Sequence, residues 1–333
     1  MRFSLFSVSD YYPDWQPDAG VFLREQVELA QMAEEMGYYA YFNAEHHFHE
    51  YGLVPDPAVL FGAVAAKTSR IKFGPAVSIL TFWHPLITAE QWALVDQLGQ
   101  GRLILGVGSG YLMHEFEGFA LSPAVKRERF DETLEIMEKA LTGQRFSFEG
   151  KYYNFKNVRL NIAPYQGRKL EMAVAILAET AAYYIGRRGY GIMTIPYATV
   201  DKVDELVPIY GNYRKGWTEM GNPGRGEIIA AVHTHVSDKP ALQSEIGRKH
   251  LEKYVYSRLY ARHAGYEECL QRGVVAIGNP DDVTAALQRM INTGVDHLMF
   301  IFNFGGMPLA EIRRSMERMM KDVIPALTSR VSE

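Results

Sequence analysis

Residues 71–110 read IKFGPAVSILTFWHPLITAEQWALVDQLGQGRLILGVGSG. The stretch holds one complete repeat of the fold. Ile71–Leu80 is a β-rich run. Pro85 opens a segment with helical periodicity, where its missing N–H is no loss in a first turn. Gly99 and Gly101 close that segment, and Arg102–Val107 follows as a second apolar run. Two strands joined through a helix run parallel, because the crossover returns the chain to the same end of the sheet. The alternation continues in both directions. It predicts strands at Arg2–Val8, Tyr39–Asn43, Ile71–Leu80, Arg102–Val107, Glu171–Leu177, Gly191–Ile195, Ile228–Val236 and His297–Asn303. Asn279-Pro280-Asp281-Asp282 opens the last crossover helix, with Asn279 as its cap, and Gly294 ends it. Eight such units point to an α/β fold, a TIM (β/α)8 barrel. An open doubly wound sheet is the alternative. Two inserted segments interrupt the repeat. Phe146–Leu160 alternates and turns at Glu149-Gly150, a hairpin before strand five. Gln243–Gly273 is long, charged and aromatic, a helical or lid insertion after strand seven. No linker or tandem repeat divides residues 1–333, so one domain is expected.

The chain has 333 residues, with 35 basic and 39 acidic side chains and a net charge of −4. It lacks the basic excess of a nucleic-acid binder. No apolar run approaches the roughly 18 residues of a membrane span. Polar residues break the N-terminal apolar stretch too early for a signal peptide. Cys269 is the one cysteine, so no intrachain disulfide and no cysteine zinc cluster can form. A cytoplasmic location is expected.

In a TIM barrel the chemistry sits at the C-terminal ends of the strands. Strand two ends in Asn43-Ala44-Glu45-His46-His47-Phe48-His49-Glu50. Adjacent residues leaving a strand point to opposite faces, which argues against His46 and His47 sharing one metal ion. One histidine acting as acid or base, oriented by its neighbours, is a second reading. A loop of structurally satisfied histidines is the third. Strand four runs into Gly106-Val107-Gly108-Ser109-Gly110-Tyr111, whose glycines bare backbone N–H groups to an anion or make a tight turn. Ala178-Glu179-Thr180-Ala181 follows strand five at the expected start of a helix, where N–H groups and the Thr180 hydroxyl suit a phosphate. Ala76, Val77 and Ser78 are small enough to let a flat ligand lie on backbone. Tyr11, Tyr12, Trp15, Phe82, Trp83, Tyr111, Phe302, Phe304 and Met307 fall near strand ends and suggest an aromatic mouth. No GxSxG elbow, Walker A motif or activated cysteine is present. The pattern therefore favours an organic cofactor that carries the hard chemistry.

These residues resemble the bacterial luciferase-like flavin monooxygenases over nearly the whole chain. The resemblance is carried by Ala44-Glu45-His46-His47-Phe48 with Glu50-Tyr51-Gly52-Leu53, and by His84-Pro85, Ala89-Glu90, Leu94–Gly99 and Gly101-Arg102. Gly106–Gly110 with Glu115-Phe116, and Gly278–Asp281, complete it. It implies FMN at the C-terminal face, reduced by a separate flavin reductase and diffusing in. It implies that the flavin reacts with O2 to a hydroperoxide that oxygenates a small apolar or aromatic substrate. His46 matches the catalytic histidine, with His47 and Glu45 beside it. Ala76–Val77 matches a non-proline cis peptide beneath the flavin ring. The phosphate would rest on the Gly108–Ser109–Gly110 backbone, with Tyr111 adjoining, on Ala178 and Thr180, and on Arg127 or Arg129. Ser109 stands where luciferase has an arginine, and Leu177 where relatives often have a serine, which implies a weaker hold on the flavin. A homodimer packed through barrel helices is also implied. A deazaflavin-dependent oxidoreductase and a non-catalytic flavin-binding subunit are the competing readings.

Overall fold

Arg2 sits beside His297 and Leu5 beside Tyr41, so the first strand is inserted between the last and the second. That pairing is how the chain closes on itself. The computed structural model describes residues 1–16, 18–49, 52–259 and 263–329. Glu50 and Tyr51 of the histidine motif, and residues 260–262 of the Gln243–Gly273 stretch, lie outside the described residues. The strands are β1 (Arg2–Ser7), β2 (Ala40–Asn43), β3 (Lys72–Pro75), β4 (Ser78–Ile79), β5 (Ile104–Gly108), β6 (Phe146–Glu149), β7 (Asn154–Val158), β8 (Glu171–Ala175), β9 (Gly191–Thr194), β10 (Ile228–Val236), β11 (Val275–Gly278) and β12 (His297–Ile301). The ring runs β3-β2-β1-β12-β10-β9-β8-β5-β4. Its pairings are parallel, and a bridge between Phe73 and Leu103 links β3 to β5. The barrel expectation holds, and the open sheet does not.

Ile71–Leu80 is not one strand. It divides into β3 and β4 around the Ala76–Val77 bond, which is cis. Before the break the chain pairs with β2, Asn43 opposite Pro75; after it, with β5, Ser78 opposite Val107. The segment changes neighbour where the barrel mouth begins. Glycine is required along this seam. A Cβ on Gly74 would lie 1.7 Å from the Ile104 carbonyl oxygen, and one on Gly106 would lie 2.3 Å from that of Pro75. Gly106 thus serves strand packing rather than an anion.

β11 has no counterpart among the eight predicted strands. It pairs with the outer half of β10, His233 to Val236. A four-residue strand between Gly273 and a cap at Asn279 gives too short a pattern to separate from a loop. The hairpin is present as antiparallel β6–β7, turned by the Gly150 N–H bonding to the Tyr153 carbonyl at 3.0 Å. The Gln243–Gly273 stretch is helical, with helices Glu245–Tyr256 and Tyr266–Arg272. Asn279 caps helix Pro280–Asn292 by accepting the Asp282 N–H at 2.9 Å.

Two motif residues explain themselves structurally. Arg102 donates to the carbonyls of Gly99, Ile71, Ala65 and Thr68, tying two crossovers to the closed end of the barrel. Asp96, fully buried, takes the Arg168 guanidinium at 2.5 Å and the Tyr165 N–H at 2.9 Å. No helix among the described residues is long and apolar enough to cross a membrane.

Candidate active site

A cavity of about 360 Å³ opens among the loops that follow the strands. Its wall is mainly aliphatic, with Val8, Val77, Val174, Ile176, Ala231 and Met299. The expected aromatic mouth is not what lines it. Of those candidates only Tyr111 does so among the described residues, and Phe6, Phe130 and Tyr254 supply the other rings. Phe82 and Trp83 instead pack around the His47 ring.

The loop after β2 is fixed by carboxylates. His46 donates its backbone N–H to the Val54 carbonyl at 3.1 Å. Its Nδ1 stands 3.1 Å from Glu115 Oε1, and the same oxygen accepts the His47 backbone N–H at 3.0 Å. Glu115 is wholly buried, so this acceptor is held rigidly. A carboxylate at Nδ1 keeps the proton there and makes Nε2 the accepting nitrogen. His46 lines the cavity; His47 does not. The His47 Nε2 is 3.0 Å from Glu45 Oε1, and Glu45 also accepts from Trp83 Nε1 at 2.7 Å and the Ile79 N–H at 3.0 Å. Glu45 borders the cavity, but its carboxylate is engaged in joining the histidine loop to β4. The alternation of side chains along an extended chain explains why His46 and His47 part.

Gly52 belongs to this geometry. A Cβ there would lie 2.4 Å from His46 Cβ and 2.7 Å from its Cδ2. Gly52→Ala is therefore expected to push the imidazole off Glu115. The Nδ1 resonance in a nitrogen-15 spectrum should shift in the variant while the melting temperature changes little. An unchanged resonance would show that the loop absorbs the methyl group elsewhere.

The other predicted residues divide. Ala76, Val77, Gly108, Ser109, Gly110, Tyr111, Arg127 and Ala178 all line the cavity. Ser78 is buried on β4 and Thr180 is exposed in the first turn of helix Glu179–Arg187, and neither lines it. Arg129 turns to the hairpin, its guanidinium 5.6 Å from the Tyr153 ring. Lys126, which the sequence reading passed over, lines the cavity beside Arg127. Ala178 begins its helix with no side-chain cap, so backbone donors are offered at the cavity rim. Two cations, glycine backbone and an uncapped helix start suit a phosphate, and the small residues at Ala76–Val77 suit a flat ring. The site fits a flavin-type cofactor that carries a phosphate.

A second polar group was not visible in sequence. Arg258 lines the cavity with its guanidinium 3.8 Å from the Tyr254 ring centre. Its Nη2 is 3.8 Å from Asp10 Oδ2. That oxygen accepts the Gly305 N–H at 2.6 Å and the Tyr12 hydroxyl at 2.9 Å. Burial raises the Asp10 carboxyl, and the Arg258 charge opposes the rise. Breaking such a buried pair by removing one member costs about 3–5 kcal/mol. Nearby, the His233 ring lies 4.5 Å from that of Tyr254 and is pushed down to about 3 by burial, with Arg258 adding to the shift.

The family model for luciferase-like monooxygenases matches residues 1–297. The oxygenase component of the flavin-dependent trigonelline monooxygenase of Acinetobacter baylyi is 23% identical, over 98% of this chain and 96% of that one. The solved monooxygenase RslO1 of Streptomyces bottropensis is 26% identical with a TM-score of 0.91, over 98% and 99%. The oxygenating constituent of 3,6-diketocamphane monooxygenase of Pseudomonas putida, solved with FMN, shares the fold at 21% identity and a TM-score of 0.84, over 98% of each chain. Similar proteins also include enzymes dependent on coenzyme F420. The chain spans about half the length of two other curated relatives that it matches. A family match over nearly all of a barrel whose mouth holds His46 against Glu115 leaves one conclusion: this chain is an enzyme and belongs to the luciferase-like monooxygenase family.

Proposed function

We propose that the protein is the oxygenase of a two-component system. It takes FMN reduced by a separate flavin reductase, together with O2, and oxygenates a small, largely apolar substrate. The observation that carries the reading is His46, held by Glu115 on the wall of an apolar cavity that Lys126 and Arg127 also line. Bound reduced FMN supplies the electrons that activate O2. The chain's own residues do the rest. Lys126, Arg127 and the backbone at Ser109–Tyr111 and Ala178 hold the phosphate, and Ala76–Val77 supports the ring. The aliphatic wall excludes water from the reacting atoms. His46 holds or accepts a proton at Nε2, and Glu115 keeps that nitrogen aimed. Glu45 and His47 position the loop. Hold on the phosphate without the luciferase arginine suits a flavin that arrives and leaves at each turnover. The trigonelline relative's description as an oxygenase component supports a partner reductase. A cytoplasmic homodimer completes the reading.

Anaerobic mixing with reduced FMN, followed by oxygen in a stopped flow, tests it. Oxidised flavin should appear after a delay that free FMN does not show. Reoxidation as fast as free FMN would count against an oxygenase. Reduction of F420 by a secondary alcohol or a sugar phosphate would then assign hydride transfer instead.

A further inference from the structure

The β6–β7 hairpin interrupts the repeat, and none of its described residues lines the cavity. It packs instead on helix Lys126–Leu141, which brings Lys126, Arg127 and, one turn on, Phe130 to the cavity. Phe130 is the first buried residue of that helix, so Lys126 to Arg129 reach past the core. Packing anchors the body of the helix and leaves the turn with the two cations to be held by other means. Val125, which precedes it, gives no side-chain cap. The Thr81 hydroxyl reaches the Lys126 carbonyl only at 3.4 Å. Arg127 bonds to Asp131 at 2.8 Å, one turn along the same helix, and Asp131 also takes Arg188 at 3.0 Å.

The hairpin supplies a firmer hold. The Glu132 carboxylate accepts three successive backbone N–H groups at its turn, from Lys151 at 3.0 Å, Tyr152 at 2.9 Å and Tyr153 at 2.7 Å. Successive N–H groups converging on one anion form a nest, and bonds to a charged acceptor are the strong ones. Gly150 permits the approach, because a Cβ there would lie 2.5 Å from Glu132 Oε1. In the first turn itself, Glu128 takes Lys151 at 2.6 Å and the Tyr152 hydroxyl at 2.9 Å. That ion pair is exposed on both sides and contributes little alone. The hairpin has its own footing away from the helix. The Tyr153 hydroxyl donates to the Trp83 carbonyl at 3.4 Å, and His84 meets the Tyr153 and Phe155 rings edge-on. The hairpin therefore bridges the start of helix Pro85–Leu98 to the first turns of helix Lys126–Leu141.

We propose that the hairpin is a brace for the cofactor phosphate and that Glu132 is its positioning residue. Glu132 does not line the cavity; it fixes the turn that holds Lys126 and Arg127 there. The proposal rests on the reading that these two cations meet the phosphate.

Titration with oxidised FMN and with riboflavin, which has the same ring and no phosphate, separates aim from packing. The unaltered protein should prefer FMN, and the Lys126→Met/Arg127→Met double variant should lose that preference. Glu132→Gln should lower the preference by about threefold to tenfold, because a neutral amide holds the N–H groups less firmly. Riboflavin affinity should not change. A bare charge effect has the opposite sign, since removing a negative charge near a phosphate favours FMN. Gly150→Ala displaces the carboxylate without removing it and should act in the same direction as Glu132→Gln. It is the variant to read if Glu132→Gln does not fold. Equal losses for FMN and riboflavin would make Glu132 structural only and overturn the proposal. So would a preference that is unchanged or raised in both variants. No preference in the unaltered protein, or one that survives loss of both cations, would instead sink the phosphate reading beneath it.

Discussion

His46→Ala should lower product formation by about 10²-fold or more while FMN still binds, the range expected when a positioned acid or base is removed. The argument is geometric. His46 touches the cavity and is aimed by a buried carboxylate, whereas the residues that suit the phosphate, Lys126, Arg127 and the backbone at Ser109–Tyr111 and Ala178, are other lining residues that follow β5 and β8. Single-turnover product yield and an FMN titration on the same preparation check both halves. Near-normal yield would remove His46 from the chemistry. His47→Ala separates the two histidines. It should lose stability through the Glu45 contact, and any activity that remains should show an unaltered pH profile.

Acid should unfold the protein more steeply between pH 6.5 and 4.5 than its carboxylates explain. Burial pushes His233 down to about 3 and His235 to about 4, from an ordinary 6.5. Around His235, Glu311 opposes the shift while His250, Arg318 and Arg314 add to it. Both folded values lie below the unfolded one, so the unfolded chain binds more protons below pH 6.5. Stability is then full above 6.5 and is lost as pH falls toward 4 and then 3. Each proton contributes about 1.4 kcal/mol per pH unit, so two histidines together reach several kcal/mol over the window. Glu34 and Glu227 are held below the usual carboxylate range and act at lower pH. Melting curves at pH 7.5, 6 and 5 should show the fall, and His233→Phe should make it shallower. An unchanged slope in that variant would mean that His233 is already charged in the fold.

Much of this was readable from local pattern. The βαβ alternation, the Asn279 cap and the β6–β7 turn each depend on a few neighbouring residues, and each is present. His46 was legible because its motif is contiguous. What was hidden depends on residues distant in sequence. Arg258 meets Asp10, and Asp10 meets Gly305, only once β10, β1 and β12 lie side by side, and no spacing announces it. That Glu115 takes His46 depends on the fold, although the parting of the two histidines follows from alternation alone. The division of Ile71–Leu80 needed its two different neighbours. Aromatic residues near strand ends misled, because the same composition serves a packed wall around His47 as well as a ligand surface.

The pairing of β1 with β12 bears on how the enzyme is made. Ser4 Oγ is 2.6 Å from His297 Nε2 in the closed ring, and β1 has no partner on that side until residues 297–301 exist. On the ribosome, nearly the whole chain must emerge before the barrel can close. The flavin pocket, with walls drawn from both ends of the chain, is then among the last features to form. During synthesis the first strand presents an open edge until β12 arrives to pair with it.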